Sequence, residues 1–291
     1  MFSSIKRGWA MAGASWAVLK QHPKLLFLPV ISGAAFIALL SAIIVPFALF
    51  AIANGVETIQ DRAQEGDPLL YLYGFLFYLA CTFIIVFFNA ALVFCALQAH
   101  AGKEPSVLGG FGAAVGRLPQ ILMWSLVAAT VGMILNAIQS FLRDKLGFLG
   151  SLIGGLGELA WSAMTYFVVP VLVVEGVDPV TAVKRSLENL RRTWGEAVGG
   201  RGGLAIVCML LLLPVLFFIG IGAAVSSSSG AGAVVIISLA VVAAIYLVVI
   251  GTVFSALSTI FSSGVYVYAT TGKAPGAMDP RLLQSTFRQK K

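Results

Sequence analysis

The chain has 291 residues, of which 59% are hydrophobic and only 11% are charged, and its mean hydropathy is +0.97. Since soluble domains carry about 25% charged residues, this composition excludes an ordinary soluble protein and predicts a multi-pass membrane protein. The net charge of +7 comes from lysines and arginines in short segments between apolar runs, which favours membrane topology over nucleic-acid binding as its explanation.

The cysteine and histidine content predicts no disulfide, metal site or cofactor. Cys81, Cys95 and Cys208 all fall inside apolar runs, where buried free thiols are the usual outcome. The two histidines, His22 and His100, are too few to complete a zinc signature.

In chain order, the first element is an amphipathic stretch over residues 2–20. Its apolar positions recur every three or four residues and include Trp9 and Trp16, whereas its basic residues lie off that stripe. Tryptophan on the apolar side is typical of a helix in the membrane–water interface. We therefore predict that Trp9 and Trp16 are interfacial anchors.

Six apolar runs follow, each of a length that crosses about 30 Å of hydrocarbon as a helix. They cover approximately residues 25–53, 69–98, 121–142, 158–174, 204–225 and 234–269. A glycine-rich piece, residues 147–157, precedes the fourth run, and three interpretations of it stay open: re-entrant, interfacial, or part of the fourth span.

The distribution of basic residues predicts the orientation of these spans. Sixteen of the nineteen lysines and arginines fall on the side of the chain termini, and three fall on the opposite side. By the positive-inside rule, both termini are predicted to be cytoplasmic in the cell (inner) membrane.

The stretch between residues 170 and 200 combines a sharp turn with a second amphipathic helix. Asp178 stands at an N-cap position, and Pro179 follows at the first helical position. One stripe of the helix is apolar, and the basic residues fill the other side. The stripe holds Val180, Val183, Leu187, Leu190 and Trp194, and the basic residues are Lys184, Arg185, Arg191 and Arg192.

This pattern suits a helix that lies flat on the membrane, with Leu187 and Trp194 as anchors. The four basic residues are predicted to contact anionic lipid headgroups. The alternative is intramolecular pairing, through Glu188 with Arg192 or through Glu175 with Lys184 or Arg185.

A repeated turn suggests internal symmetry. Gly102–Pro105, Gly176–Pro179 and Gly272–Pro275 share the pattern Gly-x-x-Pro, and the first two precede an amphipathic segment and a membrane hairpin. We predict one all-α membrane domain over residues 1–291. It would comprise three parallel repeats over 1–98, 99–174 and 175–270, and a basic tail over 271–291. The alternative is that any chain with an even number of spans and short basic loops looks this way.

The segments PVLVVEGVDP, AVKRS and TWGEAVGG resemble the signature of an uncharacterised family of prokaryotic multi-pass membrane proteins. In pattern they are also similar to the membrane domain fused to some glycerophosphodiester phosphodiesterases. The resemblance implies a helical integral membrane protein and carries no activity. The catalytic residues of the phosphodiesterase would lie in a soluble domain outside this chain.

A few polar residues inside the apolar runs are candidates for a transport path. Glu158 starts the fourth run, and an acid within the hydrocarbon often marks an ion path. Ser255, Thr259 and Ser262 recur along the sixth run, where small hydroxyl residues more often allow close helix packing.

The sequence contains no Walker A, H-E-x-x-H or G-x-S-x-G motif, so we predict that the protein is not an enzyme. The leading hypothesis is an oligomeric scaffold or lipid-interacting element of the inner membrane, with anionic lipids and further copies of the chain as its partners. The alternative is a channel or transporter whose path is lined by Glu158 and the hydroxyls of the sixth run.

Overall fold

The computed structural model describes residues 13–54, 67–226 and 232–272, and these ranges contain helices and turns but no strand. Residues 13–21 form helix α1, and a short 3-10 turn over Pro23–Leu26 leads into α2. The helices that follow are α2 (Phe27–Asn54), α3 (Pro68–His100), α4 (Val107–Gly116), α5 (Leu118–Leu146), α6 (Phe148–Met164), α7 (Val168–Glu175), α8 (Pro179–Ser226) and α9 (Gly232–Thr271).

Five helical segments are long and apolar enough to cross a membrane, since about 20 residues suffice. They are Pro23–Leu49, Pro68–His100, Leu118–Leu146, Phe148–Glu175 and Ile237–Thr271. The predicted span at 204–225 lies within α8. Among the described residues, the apolar stretch there is Arg201–Val215, which is too short to cross a membrane. The sixth crossing therefore stays a prediction.

Residues 148–157 of the glycine-rich piece begin the regular helix α6, within the apolar segment Phe148–Glu175, which favours the interpretation that they are part of the fourth span. Gly147 makes the tight turn out of α5 with a φ of 56°. A Cβ on Gly150 would overlap the carbonyl oxygen of Leu142, and one on Gly154 would lie 2.7 Å from Cγ of Gln139. The missing side chains thus let α6 pack directly on α5, and the fourth apolar segment starts ten residues earlier than predicted.

A glycine also brings α4 against α3. Ser106 caps the start of α4 by accepting the N–H of Gly109 at 3.3 Å. A Cβ on Gly110 would lie 2.6 Å from Sγ of Cys95 and 2.8 Å from the carbonyl oxygen of Ala91. The glycine-rich helix α4 is therefore regular and closely packed.

The chain divides into two compact units. In the described residues, one unit comprises 13–26, 96–105, 193–226 and 232–272, and the other comprises 27–54, 67–95 and 106–192. In the first unit, Nε2 of the buried His100 is 2.9 Å from the carbonyl oxygen of Ile260 in α9. In the second, α7 is buried along most of its length, with Val168 and Val171 inaccessible to solvent.

Helix α8 changes unit in its interior. The backbone of Thr193 has φ −122° and ψ 21°, which interrupts the helical geometry. The part of α8 before this break, residues 179–192, belongs to the second unit together with α5, α6 and α7. We call this part the α8 head.

Candidate membrane-interface site

The turn between α7 and α8 is built as the sequence predicts. Gly176 adopts the left-handed conformation at φ 65° and ψ 25°, and its N–H donates to the carbonyl of Leu172 at 3.0 Å. Oδ1 of Asp178 accepts the N–H groups of Val180 at 3.0 Å and Thr181 at 3.1 Å. Pro179 is the first residue of α8, so the predicted N-cap is confirmed.

Two side chains from α5 and its cap hold this turn. Nε of Arg117 donates to the carbonyl of Val173 at 3.3 Å, and Nε2 of Gln120 donates to the carbonyl of Gly176 at 3.3 Å. A Cβ on Gly176 would overlap Nη1 of Arg117. The guanidinium therefore stacks on the glycine at the C-terminus of α7, where a positive charge complements the helix dipole. We call Arg117 and Gln120 the carbonyl clamp.

One ion pair joins α7 to the α8 head. Nη1 of Arg185 bonds to Oε2 of Glu175, with side chains that are 51% and 20% exposed. This resolves one of the alternatives left by the sequence, because Glu175 pairs with Arg185. Because the guanidinium of Arg185 is exposed, the pair contributes little to stability.

The α8 head also closes the break between α6 and α7. Residues 165–167 leave the helical path, and the N–H of Phe167 donates to Oγ of Ser186 at 2.9 Å. Phe167 and Ser186 are both fully buried. An unpaired N–H in this position would be costly, so Ser186 is a structural partner of the core.

The face of the α8 head that packs against the protein is small and partly polar. Its positions recur at steps of three and four residues and are all buried: Pro179, Ala182, Ser186 and Asn189. Small residues carry little hydropathy signal, so this face is not distinguishable from the apolar stripe in the sequence. Side chains of this size let the head lie close to α7.

The predicted apolar stripe is uncovered at one end and buried at the other. Val180 is 63% exposed, Val183 and Leu187 are half-buried, and Leu190 is 3% exposed. The side chain of Trp194 and all of Trp9 lie outside the described residues, whereas Trp16 is exposed with Nζ of Lys20 5.5 Å from its ring centroid.

The four basic residues of the head fall on two different edges. One edge of the head holds Val180, Lys184, Leu187 and Arg191 at steps of four, three and four residues. Lys184 and Arg191 therefore alternate with the exposed Val180 and the half-buried Leu187. Arg185 and Arg192 lie on the opposite edge of the charged side. All four side chains are exposed.

The residues of the predicted polar path do not form one described cluster. Glu158 is exposed on α6 in the second unit, whereas Ser255, Thr259 and Ser262 lie on α9 in the first. Oγ of Ser262 donates to the carbonyl of Thr259 at 3.1 Å, which is an intrahelical bond. The path stays a prediction. No group of three or more metal-binding His, Cys, Asp or Glu side chains occurs in the ranges that the structure covers.

These features define a class: a multi-pass membrane protein that is helical throughout its described elements, with five long apolar helical segments among the described residues. Residues 69–276 match the model of the family of unknown function DUF6159, so the chain belongs to that family. This confirms the resemblance to an uncharacterised membrane family, while the similarity to phosphodiesterase membrane domains stays a prediction. No curated protein matches the chain.

Proposed function

We propose that the protein is a non-catalytic, multi-pass protein of the inner membrane that binds anionic lipid headgroups through the α8 head and acts as an oligomeric scaffold. In this proposal six helices cross the membrane and both termini are cytoplasmic. The α8 head and α1 then lie in the cytoplasmic lipid–water interface as amphipathic helices.

The single observation that carries the proposal is the three-sided α8 head. One face is buried through Ser186 and its neighbours, and the remaining side is charged. Between them, one edge alternates the exposed Val180 and the half-buried Leu187 with Lys184 and Arg191. A helix on a membrane surface needs an apolar edge directed at the acyl chains and basic residues at the headgroup level. The carbonyl clamp fixes the start of the helix, so that the edge keeps its orientation.

The repeated turns support the proposed threefold organisation. Gly102, Gly176 and Gly272 follow the C-termini of α3, α7 and α9, and their φ angles are 71°, 65° and 69°. Each member of the Gly-x-x-Pro pattern therefore has a glycine with positive φ just after a helix, which supports three units of common origin.

Two neighbouring arginines provide a matched test of lipid binding. Arg191→Gln and Arg192→Gln each remove one exposed charge, but only Arg191 lies on the apolar edge. A basic residue near an anionic surface contributes about 1 kcal/mol, so Arg191→Gln should lower the preference for phosphatidylglycerol over phosphatidylcholine about fivefold. Native mass spectrometry of the full chain with both lipids measures that preference.

The expected result for Arg192→Gln is a preference close to that of the unmodified chain. If both variants lost the same amount of lipid preference, only the net charge of the head would matter. If neither variant lost any preference, the proposed headgroup site would be contradicted. The alternative of a channel or transporter path through Glu158 and α9 stays a prediction, and Glu158 within an apolar segment is its strongest support.

A further inference from the structure

The hairpin of α5 and α6 has a register that can be read from its glycines. A Cβ added to Gly150 would approach Leu142, and one added to Gly154 would approach Gln139. A Cβ added to Gly157 would lie 3.9 Å from Cδ2 of Leu135. The two helices are therefore antiparallel neighbours along this whole length. Glu158, which follows Gly157, lies at the level of Leu135 and Asn136.

This level is inside the apolar part of the hairpin. Arg143 begins the charged end of α5, eight residues beyond Leu135, which at 1.5 Å per residue is about 12 Å. The apolar segments of both helices continue well past Glu158 in the other direction, to Leu118 and Glu175. A carboxyl group at this depth needs a partner if it is not in water.

Glu158 and Asn136 lie on the same side of the hairpin. In two antiparallel helices viewed down one axis, successive residues rotate in opposite senses. Leu135 and Gly157 are the contact pair. The residues that directly follow them, Asn136 and Glu158, therefore point to the same side. Steps of three and four residues extend this side into a small and polar surface. We call it the polar face of the hairpin, and it consists of Gly132, Asn136 and Ser140 on α5 and Ser151, Gly155, Glu158 and Ser162 on α6.

The described residues cover only part of this face. On the same side of α5, Ser125 and Ala129 are fully buried, and Oη of Tyr78 from α3 lies 2.7 Å from where a Cβ of Gly132 would be. One turn further, Asn136 and Glu158 are exposed, and neither side chain has a hydrogen-bond partner among the described residues. The described part of the chain therefore leaves Asn136 and Glu158, the amide and the acid of this face, uncovered.

We propose that the polar face of the hairpin is where two copies of this chain pack inside the membrane, with the carboxyl of Glu158 accepting the side-chain N–H of Asn136 in the second copy. This deepens the oligomeric part of the proposed function and does not depend on lipid binding.

The chemistry of the face favours a second copy as its occupant. The face carries an acceptor, the carboxyl of Glu158, and a donor, the amide of Asn136, at the same level. A two-fold axis between two copies would therefore form this hydrogen bond twice, once in each direction. Its other members are glycine and serine, the residues that allow close approach of helices in membranes. The opposite sides of both helices carry large exposed apolar residues, such as Ile134 and Leu156, which suit contact with lipid.

Cysteine cross-linking in native membranes tests the interface. A Cβ on Gly155 meets nothing within 4 Å, so Gly155→Cys is expected to fold and to form a disulfide between two copies after mild oxidation. The matched control is Ile153→Cys, which is 50% exposed at nearly the same depth but on the other side of α6. The unmodified chain measures any bridge made by the native cysteines.

A second substitution tests the roles of the acid and amide. Adding Glu158→Leu to Gly155→Cys should lower the cross-linked fraction about tenfold, the factor expected from losing interhelical hydrogen bonds of ordinary strength. Adding Glu158→Gln keeps a hydrogen-bonding carbonyl and should preserve most of the cross-link. A melting curve of each variant establishes that it is folded.

Three results would overturn the inference: equal cross-linking at positions 153 and 155, a folded Gly155→Cys variant that stays monomeric, or cross-linking that is insensitive to Glu158→Leu. A monomeric result would point to another part of the chain or another protein as the occupant. The lipid-preference assay with Arg191 and Arg192 is independent of this outcome, so failure of the interface and failure of headgroup binding are distinguishable.

Discussion

Three glycines of α6 provide a graded test of how closely it packs on α5. Alanine at Gly150 would place a Cβ into the backbone carbonyl of Leu142, which cannot move without separating the helices. Alanine at Gly154 would meet Cγ of Gln139 at 2.7 Å, and that flexible side chain can turn away. Alanine at Gly155 meets no atom within 4 Å.

The expected stability order follows from two opposing effects. Each substitution gains up to about 1 kcal/mol from the better helix propensity of alanine. Overpacking costs about 1–3 kcal/mol where the neighbour cannot give way. Gly155→Ala should therefore be neutral or stabilising, and Gly150→Ala should be about 2 kcal/mol less stable than Gly155→Ala. For a chain of this size that difference is about 4–8 °C in melting temperature.

The native cysteines supply the assay. Cys81 and Cys95 are buried, so a thiol-reactive fluorescent dye labels them when the protein unfolds in detergent micelles. Gly154→Ala is expected to melt between the other two variants. Equal melting temperatures for Gly150→Ala and Gly155→Ala would refute the close packing of α5 and α6, and with it the register on which the polar face depends.

Two further outcomes test the α8 head. Ser186→Ala should cost about 1–3 kcal/mol, because it leaves the buried N–H of Phe167 unpaired, whereas Ser41→Ala removes only an exposed bond within its own helix and should cost little. Equal melting temperatures for these two variants would contradict the structural role of Ser186. For the cap, hydrogen bonds first from the side chain and then from the backbone of Thr181 hold the pKa of Asp178 below its usual 3.8. A carboxylate whose pKa is lower in the folded state stabilises that state at pH values above its unfolded pKa. This stabilisation is lost as the pH falls through the folded pKa. The advantage of the native chain over Asp178→Ala should thus be full above pH 3.8 and shrink at lower pH, while Asp178→Asn, a neutral cap, should show no such dependence. A pH-independent difference between the native chain and Asp178→Ala would contradict the assignment.

Much of the helical layout follows from the sequence because its signals are local. The apolar runs predicted at 25–53, 69–98 and 234–269 agree within a few residues with the helices Phe27–Asn54, Pro68–His100 and Gly232–Thr271. The turn at Asp178 and Pro179 is also encoded by neighbouring residues, whose capping chemistry needs no tertiary partner.

The beginning of α6 stayed open in the sequence for a physical reason. Glycine lowers helix propensity, so residues 147–157 could not be assigned to the fourth span from their composition. In a packed hairpin, however, the missing side chains are what permit contact between the helices. The spacing of Gly150 and Gly154 is the Gly-x-x-x-Gly pattern of membrane helix interfaces and could have revealed it.

The carbonyl clamp had no comparable signal. Arg117 lies 56 residues before Val173, and in the sequence it counted only as one more positive charge between spans. Its partners are backbone carbonyls, which every residue possesses, so no side-chain pattern marks them. The buried face of the α8 head was overlooked for a related reason, since Ala182 and Ser186 contribute little to any hydropathy pattern.

The carbonyl clamp determines which residues of the turn between α7 and α8 can be substituted among relatives of this protein. Because Arg117 and Gln120 recognise main-chain oxygens, the side chain of Val173 can change among relatives without weakening either bond. Position 176 has no such freedom, since any side chain would displace the guanidinium and the backbone there is left-handed. The turn can therefore tolerate drift in the residues that it connects while a single glycine preserves its shape.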